Sequence, residues 1–371
     1  MGVENRPRQR VAVAMSGGVD SAVAAACLLE QGHEVIGLTM RLWSGPGGDA
    51  TRRTCCATED VQDARRVAQT LGIAFFVIDL EAEFRAAVVA DFVSSYAAGQ
   101  TPNPCVRCNQ RLKFAHLLQR ARQLQADFLA TGHYALRREG AGGPQLWRGK
   151  DRHKDQSYFL FTVTPEQLRH LWFPLGELSK EQTRALAARF GLHLARKRES
   201  QDLCFVPDGN TSAFLAQAGD GLFAAGPITD AAGLLLGEHR GLGGYTIGQR
   251  KGLGISSTAP LYVIGIQPER NRLVVGPEAA LWRDRLQLRE VNWLAEEPLL
   301  APVRVEARIR YAAEPQPALL RPRDDQCAEL VFDTPQRAIA PGQACVFYAG
   351  ERVLGGGWIQ PFPGGPTDLI E

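Results

Sequence analysis

The hexapeptide Ser16-Gly17-Gly18-Val19-Asp20-Ser21 concentrates residue types that handle phosphate. It follows an apolar run with strand character, Val11-Ala12-Val13-Ala14-Met15, and precedes a helix-like run from Ala22 to Gln31. Paired glycines between strand and helix let backbone N–H groups approach a phosphate, and the helix N-terminus adds partial positive charge. Ser16 and Ser21 add hydroxyl donors, and Asp20 is a residue type that holds magnesium. This pattern predicts a nucleotide site.

The loop lacks the lysine of GxxxxGK(S/T) and the spacing of GxGxxG. It resembles the PP-loop of the ATP pyrophosphatases, which cleave ATP between the α and β phosphates. The missing lysine fits that chemistry, because a lysine suits a transferring γ-phosphate. The bland alternative is a tight turn that needs small residues.

Cysteines supply the second set of reactive groups. Thr101-Pro102-Asn103-Pro104-Cys105-Val106-Arg107-Cys108-Asn109 reads as a rigid loop with a helix just after it. Cys108, near that helix start and beside Arg107 and Arg111, is expected to favour its thiolate. Cys204, in Leu203-Cys204-Phe205, follows Arg196-Lys197-Arg198 and carries the same expectation. Cys27 and Cys345 read as small buried apolar residues, Cys327 carries no signal, and Cys55-Cys56 are spaced poorly for chelation. Cys105 and Cys108 form half of a zinc pattern with no second half, or a redox pair outside its usual fold. Cys105, Cys108 and Cys204 also match an iron–sulfur cluster with one open position. That reading ranks below a persulfide mechanism.

Composition bounds the rest. A chain of 371 residues suggests two or three domains, and 45% apolar content suffices for sizeable cores. No stretch of eighteen apolar residues occurs, so no membrane span is expected. Met1 to Arg10 is polar, which predicts no secretory leader and a cytoplasmic protein. Eight cysteines in such a chain point to thiol chemistry or metal rather than a disulfide framework. Net charge is only +2, but residues 107–122 and 184–198 are basic with no acid. A third cluster is Arg148, Lys150, Arg152 and Lys154. These runs usually mark solvated faces; flanking candidate loops, they suggest a polyanionic partner.

The elements that position these groups alternate. Strand-like 34–40, 73–78 and 128–131 are interleaved with helix-like 59–71, 81–98 and 110–125. This βα order predicts an α/β Rossmann-like parallel sheet with Ser16, Met40 and Thr131-Gly132-His133 at one rim. Residues 135–150 read as a glycine-rich hairpin. Capping boxes start helices at Thr164-Pro165-Glu166-Gln167 and Ser179-Lys180-Glu181-Gln182. The predicted domains are 1–210 (nucleotide-binding and catalytic), 211–282 (small, central) and 283–371 (β-barrel). In the last, Val303, Val305, Ala307, Ile309 and Tyr311 alternate with Arg304, Glu306, Arg308 and Arg310, the charged set read as a solvated face, with an RNA-facing role as the sharper and rarer alternative.

Several motifs occur together in the order seen in tRNA-specific 2-thiouridylases. They are SGGVDS, Thr101 to Asn109, Ala130-Thr131-Gly132-His133-Tyr134, Lys154-Asp155-Gln156-Ser157-Tyr158-Phe159-Leu160, Cys204-Phe205 and Gly244 to Gly254. The resemblance covers about residues 10–360. It implies ATP-dependent replacement of the 2-oxygen of the wobble uridine in tRNA by sulfur. It assigns ATP, with Mg2+, to Ala14, Met15, Ser16, Gly17, Gly18, Val19, Asp20, Ser21, Met40 and Gly132. Cys204 would carry a persulfide from a sulfur-carrier protein, and Cys108 would be the partner nucleophile, ending in a Cys108–Cys204 disulfide. Asn103, Pro104 and Cys105 would lie against the target base in the anticodon loop. His133, Lys154, Asp155, Gln156, Arg310, Tyr311 and Gln343 match the family's tRNA contacts. Some members have Asp at the Cys105 position, which leaves open whether an acid, a thiol or a cluster acts there.

The chemistry agrees with this assignment. A uracil carbonyl oxygen is a very poor leaving group, AMP is a good one, and a persulfide is a strong nucleophile at neutral pH. Two rivals remain. An amide-forming PP-loop synthetase would not need Cys108 or Cys204, and an RNA-binding module with a vestigial nucleotide site would release no pyrophosphate.

Overall fold

A computed structural model describes residues 7–43, 58–197, 203–206, 209–218, 224–295, 299–323 and 326–362. Cys55, Cys56 and Arg198 lie outside the described residues. Two compact units divide the chain. The first comprises Met1–Val88, Cys105–Gly209 and Glu351–Val353; the second comprises Val89–Pro104, Asn210–Gly350 and Leu354–Glu371.

The first unit is built on a five-stranded sheet. Its strands are β1 (Arg10–Ala14), β2 (Glu34–Arg41), β3 (Ala74–Asp79), β4 (Phe128–Thr131) and β7 (Leu171–Trp172), in the order β3-β2-β1-β4-β7. Every pairing is parallel. The order reverses between β1 and β4, so the crevice beyond their carboxyl ends is where an open α/β sheet binds ligand. Helix α1 (Val19–Glu30) buries Ala22, Ala24, Ala25 and Leu28 in one core with Val11 and Val13 of β1. Small side chains let the helix lie close to the strand, and its start is thereby held at the crevice. Phe128 stacks on Trp172 with centroids 4.2 Å apart and closes the far end of this core.

Helix α2 (Thr58–Leu71) follows, and β5 (Ala135–Gly140) and β6 (Gly143–Arg148) form the expected hairpin. Both capping boxes are present. Thr164 Oγ1 accepts from Gln167 N at 3.1 Å, and Ser179 Oγ from Gln182 N at 3.2 Å, each with the glutamine side chain returning the bond. Each cap contributes about 1 kcal/mol. They start the helices Pro165–Arg169 and Lys180–Arg189.

The two longer helical runs differ from expectation. Residues 81–97 contain a π-helical segment, Arg85–Val89, between α-helical ones. A helix starts at Pro104, inside the expected loop, and becomes π-helical over Asn109–Leu117. Proline suits a first helical position because its missing N–H has no intrahelical partner there. Arg111 donates to the Ala87 carbonyl at 2.8 Å and Asn109 Nδ2 to that of Phe159 at 2.9 Å, anchoring the widened turns.

In the second unit, β8 (Gly226–Thr229), β9 (Leu235–His239), β10 (Tyr262–Gln267) and β11 (Arg272–Gly276) form a sheet in the order β10-β11-β8-β9. Six further strands follow: β12 (Trp282–Trp293), β13 (Val303–Arg308), β14 (Gln316–Pro322), β15 (Ala328–Arg337), β16 (Ala344–Ala349) and β17 (Arg352–Ile359). They run β12-β15-β14-β13-β16-β17, and β12 pairs with β17, closing a barrel with no free edge. Val305, Ala307 and Ile309 point into its core as the alternation requires.

Arg308 departs from that alternation. It is buried rather than solvated, its Nε donating to the Ala313 carbonyl at 2.8 Å and its Nη2 to that of Tyr311. Two backbone carbonyls of the following turn accept from the guanidinium, contacts that the strand pattern does not reveal. Among the described residues no helix is long and apolar enough to cross a membrane.

Candidate functional site

The phosphate loop is preorganised by its own serines. Ser21 Oγ donates to the Gly18 carbonyl at 3.1 Å and accepts from Ser16 N at 3.1 Å; Ser16 Oγ lies 3.4 Å away. Gly17 adopts φ +70°, and a Cβ there would lie 2.3 Å from the Asp60 carbonyl oxygen. Only glycine meets both demands. Gly132, at the end of β4, makes the second close approach: a Cβ there would lie 2.6 Å from Ser21 N. Met15 N donates to the Leu38 carbonyl at 2.7 Å, tying the loop to β2, which carries the buried Met40. Ala14, Met15, Ser16, Gly17, Gly18, Val19, Asp20, Ser21, Met40 and Gly132 therefore share one rim of one sheet.

Two lysines bond to the loop, a role that their place in the sequence did not suggest. Lys180, the first residue of its helix, sends Nζ to both Asp20 oxygens at 2.7 and 2.8 Å. Tyr134 Oη donates to Asp20 Oδ1 at 2.9 Å and lies 2.9 Å from Thr183 Oγ1. A lysine thus reaches the loop from 160 positions away. Its only sequence signal was a place inside a capping box. Lys197 sends Nζ to the Gly17 carbonyl at 2.9 Å, Asp60 Oδ1 at 2.7 Å and Asp63 Oδ2 at 2.6 Å.

The electrostatics of this knot follow from burial and pairing. Burial raises the Asp60 carboxyl, and the Lys197 hydrogen bond only partly offsets it. At Asp63 burial pushes up as well, but hydrogen bonds from Lys197 and His193 win and hold it low. Lys197 is disfavoured by burial yet held above its ordinary value by the two carboxylates.

Among the described residues no three His, Cys, Asp or Glu side chains gather as a metal site. Cys105, Cys108 and Cys204 accordingly form no cluster cage. Asp20, paired with an ammonium, is a single carboxylate, which does not make a resident magnesium site; such ions are held largely by substrate phosphates.

Cys105 is exposed, Cys108 buried and Cys204 half-buried, all in the first unit. Burial pushes the Cys108 thiol above its ordinary range, and the nearby Lys113 ammonium offsets only part of this. The expected thiolate preference is thus reversed in this state. Arg107 is buried and bonds Gln110 Oε1 at 3.0 Å, and Arg111 is spent on Ala87. Beside Cys204, Phe205 is buried edge-on against Trp43 and Phe84, at centroid distances of 6.4 and 5.6 Å.

His133 Nδ1 lies 2.7 Å from Thr131 Oγ1, and burial with the Lys113 charge keeps the ring neutral, well below its usual pKa. Gln156 Oε1 accepts from Tyr134 N at 3.0 Å. Asp155 is 1% exposed, and its carboxylate accepts from Gly149 N, Ser157 N, Ser157 Oγ and Arg148. It shapes the Lys154–Gln156 turn from inside; Lys154 is half-buried.

The second unit holds Asn103, Pro104, Arg310, Tyr311 and Gln343. Gln343 Nε2 donates to the Thr101 carbonyl at 3.0 Å, and Thr101 Oγ1 lies 3.3 Å from Thr246 Oγ1. The Thr101–Pro104 stretch is thus fastened to the barrel and to the Gly244–Gly254 motif. Arg310 Nη2 donates to the Arg337 carbonyl, and Tyr311 faces Arg308, 5.1 Å from its ring.

The basic runs are less free than their sequence suggests. Arg189 pairs with Glu30, Arg184 bonds the Ala195 carbonyl, and Arg152 pairs with Glu351. Arg122 pairs with Glu166 at 3.4 Å, while Arg120 and Lys150 are exposed.

Three family descriptions match the chain in order: tRNA methyl transferase HUP domain over residues 9–208, tRNA methyl transferase PRC-barrel domain over 212–277, and aminomethyltransferase beta-barrel domain over 283–359. Among curated relatives, the tRNA-specific 2-thiouridylase MnmA of Magnetococcus marinus is 61% identical over 353 residues, 95% of this chain and 99% of its own. The proteins of the same name from Cereibacter sphaeroides and Paracoccus denitrificans are each 50% identical, over 94% and 98% of this chain and 94% and 95% of theirs. With a parallel sheet carrying the phosphate loop and three segments matched in series, the chain belongs to the tRNA-specific 2-thiouridylase family.

Proposed function

We propose that this protein is a cytoplasmic enzyme that thiolates the wobble uridine of tRNA at its 2-position, consuming ATP and a cysteine-borne sulfur. The observation that carries the reading is the phosphate loop at the switch point of the sheet, in the same unit as Cys108 and Cys204.

In the proposed sequence the uracil O2 attacks the α-phosphate of ATP and pyrophosphate leaves. The loop N–H groups and the α1 N-terminus favour the phosphates, and the serine hydroxyls keep the loop in shape. The terminal sulfur of a Cys204 persulfide, loaded by a sulfur-carrier protein, then attacks C2. Its proton goes to solvent, AMP departs with the former O2, and a C2–S–S–Cys204 linkage remains. The Cys108 thiolate attacks the Cys204 sulfur, leaving the thiocarbonyl on the base and a Cys108–Cys204 disulfide. A dithiol reductant supplies two electrons to restore both thiols. Mg2+ enters only as the ion that accompanies ATP.

The raised Cys108 pKa fits a nucleophile kept as thiol until substrate binding changes its surroundings. Asn103, Pro104 and Cys105 are the proposed contacts to an unstacked base, with the rigid Thr101–Pro104 backbone as platform. His133, Lys154, Gln156, Arg310 and Tyr311 are proposed tRNA contacts. Asp155 and Gln343 serve tRNA by holding the backbone that meets it.

The test combines purified protein, ATP, unmodified tRNA and a persulfide donor. One AMP and one pyrophosphate should form per 2-thiouridine, and Cys204→Ala or Cys108→Ala should abolish the thionucleoside. Turnover that survives both substitutions would point instead to an amide-forming synthetase. Unchanged 2-thiouridine in tRNA from cells lacking the protein would refute the reading outright.

A further inference from the structure

A cavity in the second unit has no part in the proposed reaction. Its volume is about 100 Å³, room for several waters or for a ligand of a few non-hydrogen atoms. Ile264 and Ile266 of β10 line it together with Leu281, and Ile264 and Leu281 are buried. Ala98 and Pro361, also in its wall, are exposed, so the cavity reaches the surface. Among the described residues lining it, Gln100 and Arg283 carry the only polar side chains, and none is acidic.

Two irregular strands border this space. β10 shifts register between Val263 and Gly265, and β12 shifts between Arg283 and Arg285. Shifts of this kind re-aim side chains, and the second one stands at Arg283 itself. The Arg283 Cζ lies 4.0 Å from the Phe362 ring centroid, and Phe362 packs against the barrel core. A cation over a ring spends none of its N–H donors. Among the described residues no acceptor bonds this guanidinium. Burial disfavours its charge, and no carboxylate offsets the cost.

We propose that this cavity binds a small organic monocarboxylate, its carboxylate on Arg283 and its aliphatic body against Ile264, Ile266 and Leu281. One guanidinium offers one positive charge and a planar fork that matches a carboxylate. No second cation lines the cavity, so a phosphate monoester would leave a negative charge unpaired among apolar walls. Those walls favour an aliphatic body, and the volume limits it to a short chain. The site adjoins the Thr101–Pro104 stretch: Thr101 N donates to the Pro341 carbonyl at 2.7 Å, and Pro341 lines the cavity.

The test is titration calorimetry of the full-length protein with butyrate, butyramide and ethyl phosphate. Butyrate should bind with a Kd of about 1 mM or below. Butyramide has the same shape without the charge and should bind about tenfold more weakly or worse, as should ethyl phosphate. Arg283→Met should weaken butyrate about tenfold or more, and Arg283→Lys, which keeps the charge but not the fork, should lose less. Hydrogen–deuterium exchange of the unaltered protein needs no variant. Butyrate should slow exchange in peptides covering 98–104 and 262–267.

Butyrate that fails to bind at about 20 mM overturns the inference. So does butyrate that binds Arg283→Met as tightly as the parent, or that binds no better than butyramide. Tighter binding of ethyl phosphate than of butyrate overturns the carboxylate assignment. Exchange protection confined to the first unit would place the anion at the nucleotide loop and overturn the site.

Discussion

Replacing Lys180 with methionine tests whether the downstream lysine organises the phosphate loop. The ammonium lies 2.7 and 2.8 Å from the two Asp20 oxygens, with side-chain exposures of 11% for Lys180 and 31% for Asp20. Removing one partner of a fully buried pair costs about 3–5 kcal/mol. Asp20 is only partly buried and keeps the Tyr134 hydroxyl, so water can recover part of the loss. A charge-assisted bond in such a setting is worth about 1.5–3 kcal/mol, which puts the expected cost near 2 kcal/mol. Methionine and lysine have similar helix propensities, and the Ser179 cap is untouched, so helix stability does not confound the result.

For a unit of this size about 2 kcal/mol lowers the melting temperature by roughly 4–8 °C. Scanning calorimetry of the full chain at neutral pH reads this directly. Lys180→Met combined with Asp20→Asn should recover about half of the loss, because neither charge is then left unpaired. ATP binding by titration calorimetry should weaken about tenfold as Asp20 loses its orientation. A melting shift below about 1 °C in the single variant would refute the reasoning, since the pair would then contribute no more than an exposed ion pair.

Gly17→Ala must place a side chain at φ +70° and against the Asp60 carbonyl, costing about 1–2 kcal/mol from conformation alone. Its ATP affinity, measured by titration, should fall further than that of Gly18→Ala, whose φ is negative. Phe205→Ala empties a buried aromatic site and should destabilise the protein by about 3–5 kcal/mol, read from denaturant unfolding. For Cys108, burial raises the pKa, so the thiol form dominates at neutral pH. Its alkylation rate in the free protein should keep rising above the ordinary thiol value of about 8.5, and a plateau at pH 7 would contradict this. His133 is neutral through the range where a free imidazole titrates, so tRNA affinity should show no inflection near pH 6.5 that His133→Gln removes.

Much of the site was legible because local rules governed it. Ser16 to Ser21 announced their turn through glycines that only one backbone shape requires, and both capping boxes formed as their spacing dictated. The π-helical segment after Cys108 was not legible. Its apolar positions suit an ordinary helix, and only anchors such as Asn109 to Phe159 hold the widened turns. The basic runs misled for a related reason. Composition counts Arg107, Arg184 and Arg189 alike, but whether a guanidinium meets solvent, a carbonyl or a carboxylate depends on what the fold brings beside it.

The amino-acid sequence by itself determined that a phosphate loop opens a parallel α/β domain, that two cysteines accompany it, and that a β-barrel ends the chain. Those features rest on short-range periodicity and on residue types with few alternative uses. Tertiary structure alone decided the environment of each reactive group. It brought Lys180 to Asp20 and Lys197 to Gly17 across more than 150 residues, and buried Cys108 deeply enough to reverse its expected ionisation. The physical reason is that ionisation and pairing depend on local dielectric and on distances of a few ångströms between residues far apart in the chain. No local pattern encodes them.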